Sequence, residues 1–463
     1  MTLTGTQLRQ SRLSVGLSQA KLAELSNISQ HLLSAFELGK LTLPKQTITH
    51  ISDLLSDKEK VTTVVKRAKR YRTHEYAKIP KRPERIAKAS QTKENLNYKK
   101  LLSNLAALHL KKQPRSLSAI SLFSGCGGFS LGFSAGGFLV KGFVELEDDL
   151  RKIYRKNFPE SLEMGSDITA IDDSALKKLS AKIGSVDVII GGPPCQGFSL
   201  SGKRDIYDPR NQLFRHYLRF VDAFRPKVAI LENVKLLTSM KNEKGGLVKS
   251  DIFSEFGEHG YKINCFEINA KDYGVPQHRE RVIFIAVRND LAFLPSIPPA
   301  THGETEQNPD FFTKLLPFRT FADACSDLPY IESGENSDFS LHQAVMHPAH
   351  VIEWLWDVPQ GFSAHDNQDA NKRPPSGYNT TYKRQIWNEP ASTVQTTFGM
   401  ISGCRNVHPI ATRALTIREA ARIQSFPDEY IFEGSLGTIR TGIGNAVPPL
   451  LAYFLAIHLR SLL

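Results

Sequence analysis

Val186-Asp187-Val188-Ile189-Ile190-Gly191-Gly192-Pro193-Pro194-Cys195-Gln196-Gly197-Phe198-Ser199 decides how the rest of the chain reads. The β-branched run predicts a buried strand, and the Gly-Gly-Pro-Pro turn ends it. Both prolines fix φ and remove a backbone donor, so Cys195 is delivered to the strand's carboxyl end on a stiff loop. Open α/β sheets place their chemistry at that edge. A positioned thiolate is one use of such a residue; a small apolar space-filler is the alternative.

Working outward, strands and helices alternate from Ser118 onward, which predicts an α/β fold with a doubly wound parallel sheet. Ala119-Ile120-Ser121-Leu122-Phe123 is a strand that breaks into Ser124-Gly125-Cys126-Gly127-Gly128. Glycines there let backbone approach a ligand closely. The next strand, Phe138 to Val144, ends at Glu145, placed to accept hydrogen bonds from ribose hydroxyls, and Asp167-Ile168 is placed to meet an adenine amine. No Gly-x4-Gly-Lys-Ser/Thr phosphate cradle accompanies them, so the pocket suits a nucleoside without a phosphate chain. Solvated loop carboxylates are the alternative for both acids. Val228-Ala229-Ile230-Leu231 is another buried strand, and Glu232 at its end shares the rim with Cys195. Arg279 and Arg281 alternate at the entry of a strand over Val282–Val287, which points both to one face.

The chain has 463 residues, net charge +12 and 41% hydrophobic residues, enough for several domains. Between Lys58 and Arg115 stand eighteen Lys and Arg against four acids, a local +14 that exceeds the chain's net charge. Such a segment is either a nucleic-acid-contacting arm or a solvated linker. Five scattered cysteines without a Cys-x-x-Cys pair argue against a disulfide framework or a zinc site, and the histidines lack metal-ligand spacing, so no metal is expected. The amino terminus lacks a signal-peptide pattern and no apolar run matches a bilayer span, which predicts a cytoplasmic protein without a membrane partner.

In the first fifty residues, Leu8, Leu13, Leu22, Leu25, Leu32, Leu33 and Phe36 recur at helical spacing, with Ser18 and Ser29 at N-cap positions. Two helices, Ser18–Leu25 and Ser29–Leu38, match a helix-turn-helix in size. Arg12, Ser18-Gln19, Leu22-Ala23, Ile28-Ser29 and Phe36-Glu37-x-Gly39-Lys40 resemble the Cro/repressor family. That resemblance makes Gln19, Gln30, His31 and Ser34 candidates to face DNA, on an operator and as a dimer. A small helical interaction module is the alternative.

Phe123-Ser124-Gly125-Cys126-Gly127-Gly128, Gly192-Pro193-Pro194-Cys195-Gln196, Glu232-Asn233-Val234, Gln277-x-Arg279-x-Arg281 and Gly444-Asn445-Ala446-Val447-Pro448-Pro449 occur in order, and together resemble the cytosine-C5 DNA methyltransferases. The resemblance implies a Rossmann-like methyltransferase sheet that uses S-adenosylmethionine, with a small target-recognition domain. With the N-terminal readings above, the chain divides into a helix-turn-helix domain (1–57), a basic linker (58–115), and, by this resemblance, a catalytic domain (116–288), a target-recognition region (289–382) and a part returning to the catalytic domain (383–463). Cys195 would add to C6 of a flipped cytosine and make C5 nucleophilic, while Glu232 relieves charge at N3. Arg279 and Arg281 would hold the base carbonyl or flanking backbone. Phe123, Ser124, Gly125, Gly127, Gly128, Glu145, Asp167, Ile168, Pro194 and Asn445 would hold the methyl donor. The implied enzyme is a monomeric modification enzyme of a restriction-modification system acting on double-stranded DNA. A transcriptional regulator and an RNA cytosine-C5 methyltransferase are the other readings.

Overall fold

The computed structural model describes residues 4–15, 17, 19–26, 28–57, 91–111, 117–194, 213–241, 245–304 and 315–463. Two compact units result, an N-terminal one and a larger one. The first contains α1 (Gly5–Ser14), α2 (Gln19–Leu25), α3 (Gln30–Glu37) and α4 (Lys45–Ser56). The Ser29 hydroxyl caps α3 by accepting from the Leu32 N–H, as the sequence predicts; Ser18 lies outside the described residues. Leu8, Leu22, Leu33, Phe36, Ile48 and Ile51 form the core. Arg12 closes it from the side: its Nε and Nη2 donate to the two carboxylate oxygens of Glu37 at 2.7 and 2.8 Å, and its Nη1 to the Leu17 carbonyl.

The larger unit begins with α5 (Lys93–Leu110) and continues through β1 (Leu117–Leu122), α6 (Gly128–Ala135), β2 (Phe138–Val144), α7 (Asp148–Asn157), β3 (Leu162–Gly165), α8 (Asp173–Ile183) and β4 (Val188–Gly191). Then come α9 (Leu213–Phe224), β5 (Val228–Val234), α10 (Val248–Glu258), β6 (Tyr261–Asn269) and β7 (Glu280–Arg288). The strands lie in the order β3-β2-β1-β4-β5-β7-β6. The first five are parallel; β7 runs antiparallel to both β5 and β6. The chain leaves β1 toward β2 on one side and returns to β4 on the other, so a crevice opens at the carboxyl ends of β1 and β4. Hydrophobic clusters cover both faces of the sheet, which is why β4 can be apolar throughout.

Part of the basic segment is no linker. Asn95, Tyr98, Leu102, Leu105 and Ala106 of α5 are buried, and Tyr98 donates its hydroxyl to the Arg422 carbonyl at 2.8 Å. Asn95 Nδ2 donates to Asp323 O and Asp327 Oδ1, and Lys99 pairs with Asp327 at 2.7 Å. A positive charge count hid an apolar helical face; the basic stretch at 58–90 lies outside the described residues.

The interval expected to hold target recognition also departs from a clean domain. It carries a two-stranded pair, β8 (His302–Gly303) with β9 (Leu316–Pro317), and a short helix α11 (Phe321–Cys325) whose residues join the same core as α5 and the sheet. In the returning part, α12 covers Ile417–Ile423, behind a capping box between Thr416 and Glu419. Two helices close the chain, α13 (Leu436–Asn445) and α14 (Pro449–Leu462). Pro448 and Pro449 cannot continue a helix from the preceding turn.

Candidate active site

Two turns meet at the crevice. After β1 the backbone takes left-handed φ at Phe123 (54°), Gly125 (56°) and Gly127 (92°). Left-handed φ at a phenylalanine is uncommon and marks a backbone that its surroundings over-determine. Ser124 supplies part of that: its N–H donates to the Val144 carbonyl at 3.1 Å and its carbonyl accepts from the Gly127 N–H. Glu145 supplies the rest. One of its carboxylate oxygens accepts from the Gly125 N–H at 2.7 Å and the other from the Glu147 N–H at 2.9 Å. Burial pushes the Glu145 carboxyl above its usual range, against the pull of these two N–H groups. Each oxygen keeps a second acceptor position, so the residue that braces the turn can also accept from hydroxyls. A Cβ on Gly127 would meet the Tyr430 hydroxyl at 2.5 Å and a Cβ on Gly128 the Val447 carbonyl at 2.5 Å, so glycine is required at both for packing.

Asp167 bends the chain after β3 by accepting from the N–H and the hydroxyl of Thr169, at 2.8 and 2.7 Å. Ile168 is buried in the core behind it. Asn445 is exposed at the end of α13. Cys126 is buried, and burial pushes its thiol up to about 12.

The last residue of β4 is a glycine because a Cβ on Gly191 would meet the Leu122 carbonyl and the Tyr217 ring, both at 2.9 Å. Gly192, Pro193 and the half-buried Pro194 follow; Cys195 itself lies outside the described residues. The turn is tied to β5, since Asn233 Nδ2 donates to the Pro193 carbonyl at 3.0 Å. That bond and a missing side chain bring Glu232 in: a Cβ on Gly192 would lie 3.2 Å from Glu232 Oε2. Glu232 is 9% exposed, and Arg281 Nε lies 2.8 Å from its Oε1. The contact is an ion pair, and among the described residues Oε1 has no hydrogen-bond donor. Register explains the pairing, because Arg281 faces Val234 and Ile283 faces Glu232 across the β5–β7 ladder, a diagonal pair.

Arg279 and Arg281 do not share a task. Arg279 is 1% exposed, and its Nη1 and Nη2 donate to the carbonyls of Val394 and Gly444 at 3.3 and 3.1 Å. Burial drives its pKa down, and the Arg281 charge adds to that. It precedes β7 instead of lying in it, so its guanidinium anchors the carboxyl-terminal segment and is not presented to a ligand. This corrects the expectation that both arginines point into the site. Gln277 anchors the same segment: its Nε2 donates to Gln424 Oε1 and its Oε1 accepts from the Val394 N–H.

Beside Arg281 opens a cleft of about 590 Å³ whose lining includes Lys235, His278, Glu280, Thr393 and Arg405. No sequence motif pointed to Arg405, which arrives from 124 positions beyond Arg281. Among the described residues no group of three His, Cys, Asp or Glu is placed to hold a metal ion, and no single helix is long and apolar enough to cross a membrane.

In the N-terminal unit, Gln19 Nε2 donates to Glu37 Oε2 at 2.9 Å. Its amide nitrogen is therefore turned into the Arg12–Glu37 pair, which corrects the expectation of a DNA-facing side chain. Burial raises the Glu37 pKa, but the bonds from Arg12 and Gln19 outweigh it and hold the carboxyl below its usual range. Ser34 is half-buried on α3; the side chains of Gln30 and His31 lie outside the described ones.

The C-5 cytosine-specific DNA methylase model matches residues 117–461. Type II methyltransferase M1.HphI of Haemophilus parahaemolyticus is 38% identical over 346 residues, 74% of this chain and 86% of that one. Type II methyltransferase M.DdeI of Desulfomicrobium norvegicum is 37% identical over 383 residues, 73% of this chain and 88% of that one. A crystal structure described as a prophage-encoded DNA modification methyltransferase of E. coli superposes with TM-score 0.58 at 26% identity, covering 75% of this chain and 99% of that one. The glycine turn braced by Glu145, the Pro-Pro turn abutting Glu232 and the Arg281–Glu232 pair all lie within the matched residues 117–461, and the chain belongs to the C-5 cytosine-specific DNA methylase family.

Proposed function

We propose that this DNA (cytosine-5) methyltransferase acts on an extruded cytosine through Cys195, Glu232 and Arg281, as the modification enzyme of a type II restriction-modification system. The juxtaposition of the Gly192-Pro193-Pro194 turn with the Glu232–Arg281 pair carries this reading. Cytosine C5 is a weak nucleophile until the ring's aromaticity is broken. The Cys195 thiolate adds to C6 while Glu232, once protonated, donates to N3, where the charge develops; after C5 has taken the methyl group, loss of the C5 proton breaks the C6–S bond and returns the thiolate. Arg281 steadies Glu232 and remains within reach of the base carbonyl. A base inside a duplex cannot be approached from above its ring plane, so it must leave the stack.

The turn over Phe123–Gly128, Glu145, Asp167, Pro194 and Asn445 fit an S-adenosylmethionine. The support is the open acceptor capacity of Glu145 and the left-handed backbone beside it. When bound, that molecule supplies an electrophilic methyl group. Glu145 orients it by accepting from sugar hydroxyls, and Asp167 accepts from its base amine. The N-terminal unit is proposed to be a helix-turn-helix of α2 and α3 that binds an operator as a dimer and represses the enzyme's own gene; the capped α3 and the Arg12–Glu37 clasp support it. Residue assignments there rest on Gln30, His31 and Ser34.

The deciding experiment is methyl transfer from labelled S-adenosylmethionine to unmethylated plasmid, beside Cys195→Ser, followed by bisulfite sequencing. Wild type should mark cytosines in one short recurring context and Cys195→Ser none, while both retain binding to the gene's own promoter fragment. Marks by the Cys195→Ser protein would overturn the nucleophile, and transfer to RNA alone would overturn the substrate.

A further inference from the structure

We infer that Arg405 grips a backbone phosphate of the DNA strand that carries the target cytosine, beside the extruded nucleotide. The inference rests on the DNA-methyltransferase activity and adds a residue to it. The cleft beside Arg281 holds three permanent cations, and two are already neutralised. Lys235 Nζ lies 3.3 Å from both Glu267 and Glu280, and the Arg281 charge is paired with Glu232 at 2.8 Å. Arg405 has no acidic partner among the described residues, although it is exposed in a cleft that contains Glu280. A cation left unmatched beside a reaction centre is a place for an anion from outside.

The backbone around Arg405 is fixed before any ligand arrives. Its N–H donates to the Thr380 carbonyl at 3.0 Å, and its carbonyl accepts from the Ser392 hydroxyl at 3.3 Å. Its φ of 31° is left-handed, a conformation that an arginine adopts only where neighbours hold it. The side chain thus leaves a pinned strand crossing, with the hydroxyls of Thr380, Ser392 and Thr393 lining the same cleft. His278 offers no competing charge, since burial and the Lys271 and Arg405 cations hold it below its usual range.

The anion's identity follows from geometry and setting. A guanidinium presents a planar fork of donors that matches two oxygens of one group, and the two non-bridging oxygens of a phosphodiester are such a pair. Arg405 shares its cleft with the Arg281–Glu232 pair, so the phosphate within reach belongs to the nucleotide being modified or to its neighbour. Rotation of a nucleotide out of the stack moves its flanking phosphates with it, and Arg405 holds one of them from the bound complex onward. The contact carries no base information.

The test is steady-state methyl transfer to unmethylated plasmid by the full chain, as wild type, Arg405→Ala and Arg405→Lys, between about 50 and 200 mM salt. Arg405→Ala should raise KM for DNA about tenfold, with kcat changing less than twofold on the order expected of a ground-state contact. The slope of log(kcat/KM) against log salt should become shallower by about 0.9, the share of one phosphate. Arg405→Lys should restore the slope but, lacking the fork, only part of the KM, and all three proteins should melt together. An unchanged salt slope in Arg405→Ala, or Arg405→Lys failing as badly as alanine, overturns the contact. Wild-type transfer in the same assay separates that outcome from failure of the methyltransferase reading, which would remove the inference with it.

Discussion

Replacing Arg279 with methionine separates an anchoring role from a catalytic one. The guanidinium donates to the buried carbonyls of Val394 and Gly444, and hydrogen bonds from a charged donor contribute about 1.5–3 kcal/mol each. Methionine keeps the volume but leaves both carbonyls without a donor. Against that loss stands a gain. The variant no longer buries a cation whose Nε has no partner and whose pKa burial drives down, and removing such a desolvated charge returns part of the cost. The net should be about 2–4 kcal/mol of destabilisation, read as a fall of roughly 5 °C in the melting of the catalytic unit. Gly444 adjoins Asn445, so KM for S-adenosylmethionine should rise about fivefold, a loss of about 1 kcal/mol, while kcat falls less than tenfold. Calorimetry and steady-state kinetics of the full chain measure both. If Arg279→Met melts like wild type and loses a hundredfold or more in kcat, on the order of 3 kcal/mol, then Arg279 touches the base and the anchoring account is wrong.

Gly192→Ala would place a methyl group 3.2 Å from Glu232 Oε2; it should cost about tenfold in kcat, on the order of 1.4 kcal/mol, with little change in melting, and full activity would show that the carboxylate does not need its present position. Glu232→Gln removes the charge but keeps the shape, and single-turnover rates should fall by about a hundredfold or more; a smaller loss would confine Glu232 to binding. Tyr98→Ala should destabilise the catalytic unit by about 3–5 kcal/mol and Tyr98→Phe by about 1, and melting that ignores both would mean that α5 is not docked. His347 Nε2 accepts from the Ala414 N–H, and burial holds its pKa at about 4, below its unfolded value. The unfolded chain therefore binds more protons between pH 6.5 and about 4, so this residue's contribution is complete above pH 6.5 and lost as pH falls through that window. Melting scans against pH should show the decline, flattened in His347→Gln; parallel curves would exclude His347 as a source.

The sheet was legible because its signal is local. Strands β4 and β5 are short β-branched runs buried on both faces, and each ends at residues with turn chemistry or charge. Helix α5 was not legible as part of the catalytic body, because its apolar face is interleaved with the lysines that dominate the charge count. What identifies it is Asn95 and Tyr98 meeting Asp323, Asp327 and Arg422 more than two hundred positions away. The split between α13 and α14 was legible in principle, since Pro448-Pro449 stands at the break.

The two arginines show where a local rule runs out. Period-two alternation predicts one side for Arg279 and Arg281, but Arg279 precedes β7, although the charge of one does bear on the other. Alternation fixes direction but not depth. Depth is set by what the rest of the chain lays over that side: Val394 and Gly444 cover Arg279 from 115 and 165 positions downstream. Arg281, one step farther along β7 and diagonal to Glu232, keeps its outlook on the cleft. The same long-range closure brings Arg405 to the cleft's edge through Thr380 and Ser392. A residue's type announces what chemistry it can do; whether it meets a ligand or a carbonyl is decided by segments that the local pattern does not contain. In a site assembled from the carboxyl ends of parallel strands and covered by a returning chain, the strand-end residues are the readable ones and the covering residues are not.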